Sequence, residues 1–415
     1  MPCRGLEESE IHIQTNRRAP RTVLLRGARQ LITLRGANRP RQGDEMQALG
    51  IIQDGALLIV DGVIREVGPT RRVERLTEAR RAVEVDASGK VVMPGFVDCL
   101  ARPLHPLASA SEFEERCQRG TLPEQAAHDS SVCLKALSAQ RLETDYRRRL
   151  RQFLSQGTLA LGADPGWDGD ERMSLKALRV LHDLGSAVIN AVPLVAVGPL
   201  CAPTLLRRAA QAQLAQLASV DASSSGPRAR ELALKARNLG YAIRIHGDAG
   251  LAVEMDACLA YGGPELTREA AAGLRESGIV WASLPAVDLW RGRPRDDLRQ
   301  HVDDGVALAL ATGFGIDGST VTSLPAVIML ACLHARLRPA EAITATTINA
   351  AFALNIADRT GSLAPGKDAD LLVLDAADYR ELGLHWGSNL VNAVMRRGEW
   401  ESLAPVLPTA SAEAS

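Results

Sequence analysis

At Pro94-Gly95 the chain changes rhythm, and that change limits its fold more than any other feature. From Phe96 onward, apolar runs of about five to eight residues alternate with amphipathic helical stretches, as in a parallel sheet or barrel whose strands are joined by helices. The runs read as strands are Phe96 to Leu100, Thr158 to Ala163, Ala187 to Val197, Ala242 to His246, Gly278 to Leu284 and Val306 to Thr312. Helices between them include Ser174 to Leu184, Ala229 to Leu239 and Leu324 to Leu337, while Ala222 to Pro227 reads as a loop. Before the change come short strands and turns: Thr22 to Leu34, Gly55 to Val67 with Asp61-Gly62 at a hairpin, then Ala82 to Val85 leading to Val91. Gly361 to Asp375 and Asn389 to Trp400 return to that character. The expected organisation is a discontinuous sheet domain of β-sandwich type from 22–95 and 361–400 around a barrel at 96–360. Residues 1–21 and 404–415 are expected to be flexible.

Composition supports a folded chain of this kind. Of 415 residues, 46% are hydrophobic and only 3% aromatic, so burial falls to Leu, Val, Ile and Ala, which suits a barrel ringed by helices. Forty-eight basic residues against 49 acidic ones leave no net field to attract nucleic acid or an anionic membrane, and neither partner is expected. The most apolar stretch, Ala187 to Pro203, is broken by Asn190, Pro193 and Gly198 and does not read as a membrane span. Seven scattered cysteines without a C-x-x-C pair, and a polar start from Met1 to Glu10, point to the cytoplasm. Arg147, Arg148, Arg149 and Arg151 read as the solvated face of a helix whose apolar stripe is Leu142, Tyr146, Leu150 and Phe153.

Two motifs identify a family. Val92-Met93-Pro94-Gly95-Phe96-Val97-Asp98 resembles the entry to the barrel in the amidohydrolase superfamily, and the segment from Gly361 to Leu371, GSLAPGKDADL, resembles its return to the sheet domain. Ser155-Gln156-Gly157-Thr158, Ile245-His246-Gly247-Asp248 and the segment from Leu384 to Leu390 narrow the resemblance to imidazolonepropionase-like proteins. Ala309 to Thr312 and Thr347 to Ala351 also fit. The likeness spans residues 22–400, with a barrel shortened between Gly198 and Arg228 and after Cys258. It implies a (β/α)8 barrel that hydrolyses a C–N bond in a ring with metal-bound water, a zinc or iron ion lowering the pKa of that water.

The resemblance also implies a ligand set, and here the chain departs from it. The His-x-His pair ending the first strand falls on Leu100 and Arg102, the fifth-strand His on His246, and the eighth-strand Asp on Gly313. The sixth-strand His is missing, the acidic residue after the fifth-strand motif falls on Ala249, and the second-strand Tyr on Trp167. One imidazole cannot hold a catalytic zinc, which normally has three protein ligands and an open position.

The expected protein is therefore an imidazolonepropionase-like homologue without catalysis and without a cofactor. Its pocket is expected to use Arg102, Asp164, Trp167, His246, Asp248 and Asp317, with Arg102 as a cation that selects a small carboxylate-bearing ligand. A homodimer, or a subunit supporting a larger assembly, is the expected state. The alternative is an active hydrolase of cyclic C–N bonds, metal-free or with zinc or iron on a rearranged site of His246, His105 and Asp164. Asp168 and Asp170 stand at the same strand ends, but such residues also cap helices. Strand alternation turns positions 98, 100 and 102 inward and Cys99 toward the helices as an inert thiol. His385 reads as a structural hydrogen-bonder, and His12, His128, His182, His301 and His334 have no constellation around them. No phosphate-binding glycine loop and no G-x-S-x-G motif occurs.

Overall fold

The computed structural model describes residues 22–119, 137–166, 170–201, 203–263, 266–292, 297–385 and 387–401. Trp167, Asp168, His12, His128 and the two expected flexible ends lie outside these residues. Among the described residues two sheets form, each of eight strands. The first contains β1 (Thr22–Ile32), β2 (Ile51–Val60), β3 (Val63–Pro69), β4 (Val83–Asp86) and β5 (Val91–Pro94) from the start of the chain. The second is the barrel: β6 (Phe96–Ala101), β7 (Thr158–Ala163), β8 (Asn190–Val197), β9 (Leu217–Asp221), β10 (Ala242–His246), β11 (Leu259–Tyr261), β12 (Val280–Ser283) and β13 (Ala307–Leu310). The chain then returns to the first sheet with β14 (Leu371–Leu374), β15 (Val391–Arg396) and β16 (Glu399–Glu401), β14 pairing antiparallel with β5.

Alternation along β5 explains how one sheet serves two cores. Val91 and Met93 join the apolar core shared with the barrel, whereas Val92 joins a separate cluster with Leu371, Val373, Ala393 and Met395. The Asp61-Gly62 hairpin forms as its residues require, both at positive φ, 50° and 80°. Gly95 alone separates β5 from β6; a Cβ there would lie 2.3 Å from Leu159 Cδ1, so only glycine lets the chain pass between sheet and barrel.

The barrel strands are parallel neighbours in sequence order, β6 to β13. The last is joined to the first by Gly313 N–H to Leu100 O at 3.1 Å and Arg102 N–H to Phe314 O at 2.7 Å. Two strands, β9 and β11, differ from the sequence expectation, which shortened the barrel at those places. Both are brief, five and three residues, and β9 runs directly into the serine-rich segment that reads as a loop. Their residues are all buried, so tertiary packing decides where local pattern is too short to do so.

The arginine run also differs. The helix Ala139–Ser155 buries Leu142, Tyr146, Leu150 and Phe153 as its stripe requires, but it buries Arg149 as well. Arg149 lies three residues after Tyr146, on the same face, and a guanidinium can fill that place because carbonyls await it. Its Nη1 donates to Pro103 O at 2.5 Å and His105 O at 2.8 Å, and its charge lies over the Phe314 ring. Burial pushes this guanidinium down to about 10. Arg149→Leu should cost about 2 kcal/mol of folding free energy in urea denaturation, because two carbonyls of the loop after β6 lose their donor. Arg147→Leu, on the exposed side, should cost almost nothing.

Candidate functional site

The carboxyl ends of the barrel strands form the mouth where such folds carry their chemistry. His246 ends β10, and Asp221 ends the neighbouring β9 in direct register with it. His246 Nδ1 lies 2.9 Å from Asp221 Oδ1. The same carboxylate accepts from Ser223 Oγ at 2.6 Å and from Ser224 through both its amide and its hydroxyl. Burial would push the Asp221 carboxyl up, but these hydrogen bonds, His246 foremost, hold it well below the usual carboxylate range. Because an ionised carboxylate only accepts, Nδ1 must carry a proton, and in the neutral tautomer Nε2 is the acceptor. The ring packs on Tyr261 at 4.8 Å and on Gly262, where a Cβ would come within 2.7 Å of Nε2.

Below His246 on the same face of β10 stands Arg244, fully buried. Its guanidinium forms an ion pair with Asp164, at the end of β7, and donates to Ser219 Oγ at 2.6 Å and Cys99 O at 3.3 Å. It also lies 5.2 Å from the centre of the Tyr261 ring. Asp164, 1% exposed, further accepts from Gly166 N–H at 2.7 Å. Burial acts to raise its carboxyl, yet Arg244 and then Arg102 hold it below the usual range.

Arg102 is half-buried just beyond β6, and its charge reaches both Asp164 and His105. His105 Nε2 lies 3.0 Å from Pro165 O, and burial, reinforced by Arg102, pushes this imidazole well below its ordinary value. Asp248 is spent as a helix cap, accepting from Leu251 N–H at 2.9 Å. Asp170 does the same for Met173 N–H. Asp317 pairs with Arg291 at 2.5 Å in a turn beside Trp290. Cys99 is fully buried, and burial pushes its thiol far up. His385 pairs with Glu381 one helical turn away.

Two residues that shape the mouth, Asp221 and Arg244, are not among the site residues expected from the sequence. Arg244 had a signal: two positions before an inward His on a strand, it must also face inward. Asp221 was hidden by the serine run after it.

Leu100, Arg102, His246 and Gly313 do not fit a catalytic zinc or iron as a donor set. Leu100 is buried and has no donor atom, and Arg102 is a permanent cation. Gly313 has no side chain to ligate with, and a Cβ on it would lie 2.3 Å from Val287 Cγ2, so an acidic side chain there would have to displace Val287. Among the described residues no group of three or more His, Cys, Asp or Glu is close enough together to hold a metal.

A barrel of this form joined to a sheet built from both chain ends is the amidohydrolase fold. Solved structures share it: an adenosine deaminase from Xanthomonas campestris with bound zinc superposes with a TM-score of 0.68 at 17% identity, covering 91% of this chain and 92% of that one. Atrazine chlorohydrolase from Arthrobacter aurescens, in a mutant form complexed with zinc and atraton, gives 0.69 at 17% identity, covering 93% and 97%. The amidohydrolase family model matches residues 247–400. Imidazolonepropionase of Solibacter usitatus is 34% identical over 411 residues, 90% of this chain and 97% of that protein. Its counterpart in Geobacillus kaustophilus is 31% identical over 419 residues, 91% and 97%. The chain belongs to the imidazolonepropionase family of the amidohydrolase superfamily. Among the described residues no helix is long and apolar enough to cross a membrane.

Proposed function

We propose that this chain is a family member whose barrel mouth has given up metal-water hydrolysis and binds a small carboxylate-bearing ligand, with Arg102 as the pocket's cation. The observation that carries the reading is the donor set at Leu100, Arg102 and Gly313, where no side chain can ligate and one at position 313 would have to displace Val287. A cation at position 102 disfavours a dication and favours a carboxylate, which a planar guanidinium grips by two hydrogen bonds. The name of its relatives sets the ligand to try: an imidazolone carrying a propionate. Action in the cytoplasm, as a homodimer or as a subunit beside a catalytic partner, belongs to the same proposal.

The test is metal content and hydrolysis together. Protein expressed with zinc and iron supplied should carry far less than one metal per chain and should not open the imidazolone ring above background. Arg102→Leu should weaken ligand binding about tenfold or more while leaving the circular dichroism spectrum unchanged. Stoichiometric metal that is lost on His246→Ala would overturn the reading and restore the hydrolase.

A second reading is favoured by one feature, the Asp221–His246 pair. A carboxylate that orients an imidazole and leaves Nε2 free to accept a proton is the arrangement of a general base. In that reading the chain hydrolyses a cyclic C–N bond without metal. Its activity would survive chelators, fall sharply in His246→Gln and fall less in Asp221→Asn.

A further inference from the structure

At the opposite end of the barrel from the mouth, a cleft of about 290 Å³ opens between the barrel and the sheet. That volume is at the lower edge of small-molecule sites. Its polar wall includes Asn190 at the start of β8, Gln216 just before β9, then Arg359, Thr360, Asp368 and Arg397. Two guanidiniums meet one carboxylate: Arg359 Nη2 lies 2.6 Å from Asp368 Oδ2, and Arg397 Nε lies 3.7 Å from it. Both arginines are about half exposed. Among the lining side chains, two guanidiniums thus stand against the single carboxylate of Asp368.

The wall is held from beneath. Asp370, 2% exposed, accepts from Asn190 Nδ2 at 2.7 Å, from Arg397 N–H at 2.9 Å and from the Thr360 hydroxyl at 3.3 Å. One buried carboxylate thus fixes three wall residues, which is how a site is kept in shape before a ligand arrives. With its amide nitrogen committed to Asp370, Asn190 is left with Oδ1 as an acceptor. That oxygen is buried and has no hydrogen-bond partner among the described residues. A buried acceptor left unpaired is unfavourable, and an N–H donor relieves it.

The geometry points to a second ligand site in this cleft, taking a small carboxylate that also bears an N–H donor. The carboxylate sits between Arg359 and Arg397, and the N–H reaches Asn190 Oδ1. No residue of the barrel mouth lines the cleft, so the site stands independently of the proposed function.

N-acetylglycine has both groups and is the probe, with acetate and inorganic phosphate as comparisons, titrated into the full chain by calorimetry. Saturable millimolar binding is expected for N-acetylglycine, about tenfold weaker for acetate and for phosphate. Arg359→Leu should weaken it about tenfold or more. Arg397→Ala, which keeps the backbone N–H to Asp370, should weaken it as well and serves if the first variant folds poorly. His246→Ala, at the other end of the barrel, should leave it unchanged. Absence of saturable binding, equal binding of acetate or phosphate, or full binding in both arginine variants overturns the proposal.

Discussion

Arg244→Met should lower the folding free energy by about 3–5 kcal/mol, the largest effect expected of any single change inside the barrel. The guanidinium and Asp164 are both buried, and each is the other's charge partner. Methionine fills much of the arginine's volume, so the loss comes from Asp164, left ionised away from water with Gly166 N–H as its remaining neutral donor. The sign of the pH dependence follows. In the parent, Asp164 has a folded pKa below its unfolded value, so it contributes stability above that value and loses it as pH falls. In Arg244→Met the carboxyl loses its direct counter-charge and keeps only the weaker pull of groups such as Arg102, so it protonates at a higher pH than in the parent and the variant's deficit shrinks toward acid pH. The double variant Asp164→Asn with Arg244→Met removes both charges and should recover most of the loss. Urea denaturation at two pH values measures all of this; a deficit under about 1 kcal/mol at neutral pH would show that the pair does not carry a buried charge.

The fold was legible because its signals repeat. The turn-rich strands at both ends, the change at Pro94-Gly95 and the apolar runs at Phe96, Thr158 and Ala242 each mark an element long enough to show its period. β11, three residues from Leu259 to Tyr261, has no period to show and is held by its neighbours on either side. The mouth was legible only in part. Positions Leu100, Arg102, His246 and Gly313 follow from motif matching, but motifs speak of what a family keeps, not of what one chain places around it. Arg244 and Asp221 are that surrounding, and they decide the electrostatics. Arg149 teaches the same lesson on a helix: in a chain so rich in arginine, a run of four gives no sign of which one turns inward. Only the spacing from Tyr146 does.

Arg244 and Asp164 also bear on the proposed loss of the metal, which predicts that restoring ligands one at a time fails to rebuild a site. Two guanidiniums, Arg244 and Arg102, already act on the Asp164 carboxylate, so the second-strand end is electrostatically satisfied without a metal. Val287 closes the space at position 313. On the proposed reading, a histidine placed at position 100 alone should not restore metal binding, because the Arg102 guanidinium remains two residues away on the same strand face.

Asp98→Asn should stabilise the protein relative to its parent by a margin that grows by about 2 kcal/mol as pH rises from 4 to 7. Asp98 is wholly buried in β6 beside the junction with β13. Burial pushes its carboxyl up to about 6, even though it accepts from Thr312 Oγ1 at 2.5 Å, Thr312 N–H at 3.3 Å and Leu100 N–H at 3.2 Å. For an acid whose folded pKa lies above its unfolded value, the folded state holds the proton longer. Stability is therefore lost as pH rises between the unfolded value near 3.8 and the folded value near 6, and the full cost persists above. Asparagine cannot ionise and escapes that cost. Thr312 Oγ1 also accepts from Phe314 N–H, so exchanging its acceptor for an amide costs part of a hydrogen bond, but that penalty is the same at every pH and does not alter the slope. His105 works in the opposite sense: its imidazole is held below its ordinary value, so its contribution is lost as pH falls below about 6.5. The contributions of these two groups oppose each other between pH 4 and 6, and removing Asp98 should expose the rise with pH that His105 causes. Parallel denaturation curves for parent and variant, with no divergence across that range, would show that Asp98 is already ionised in the folded barrel at acid pH.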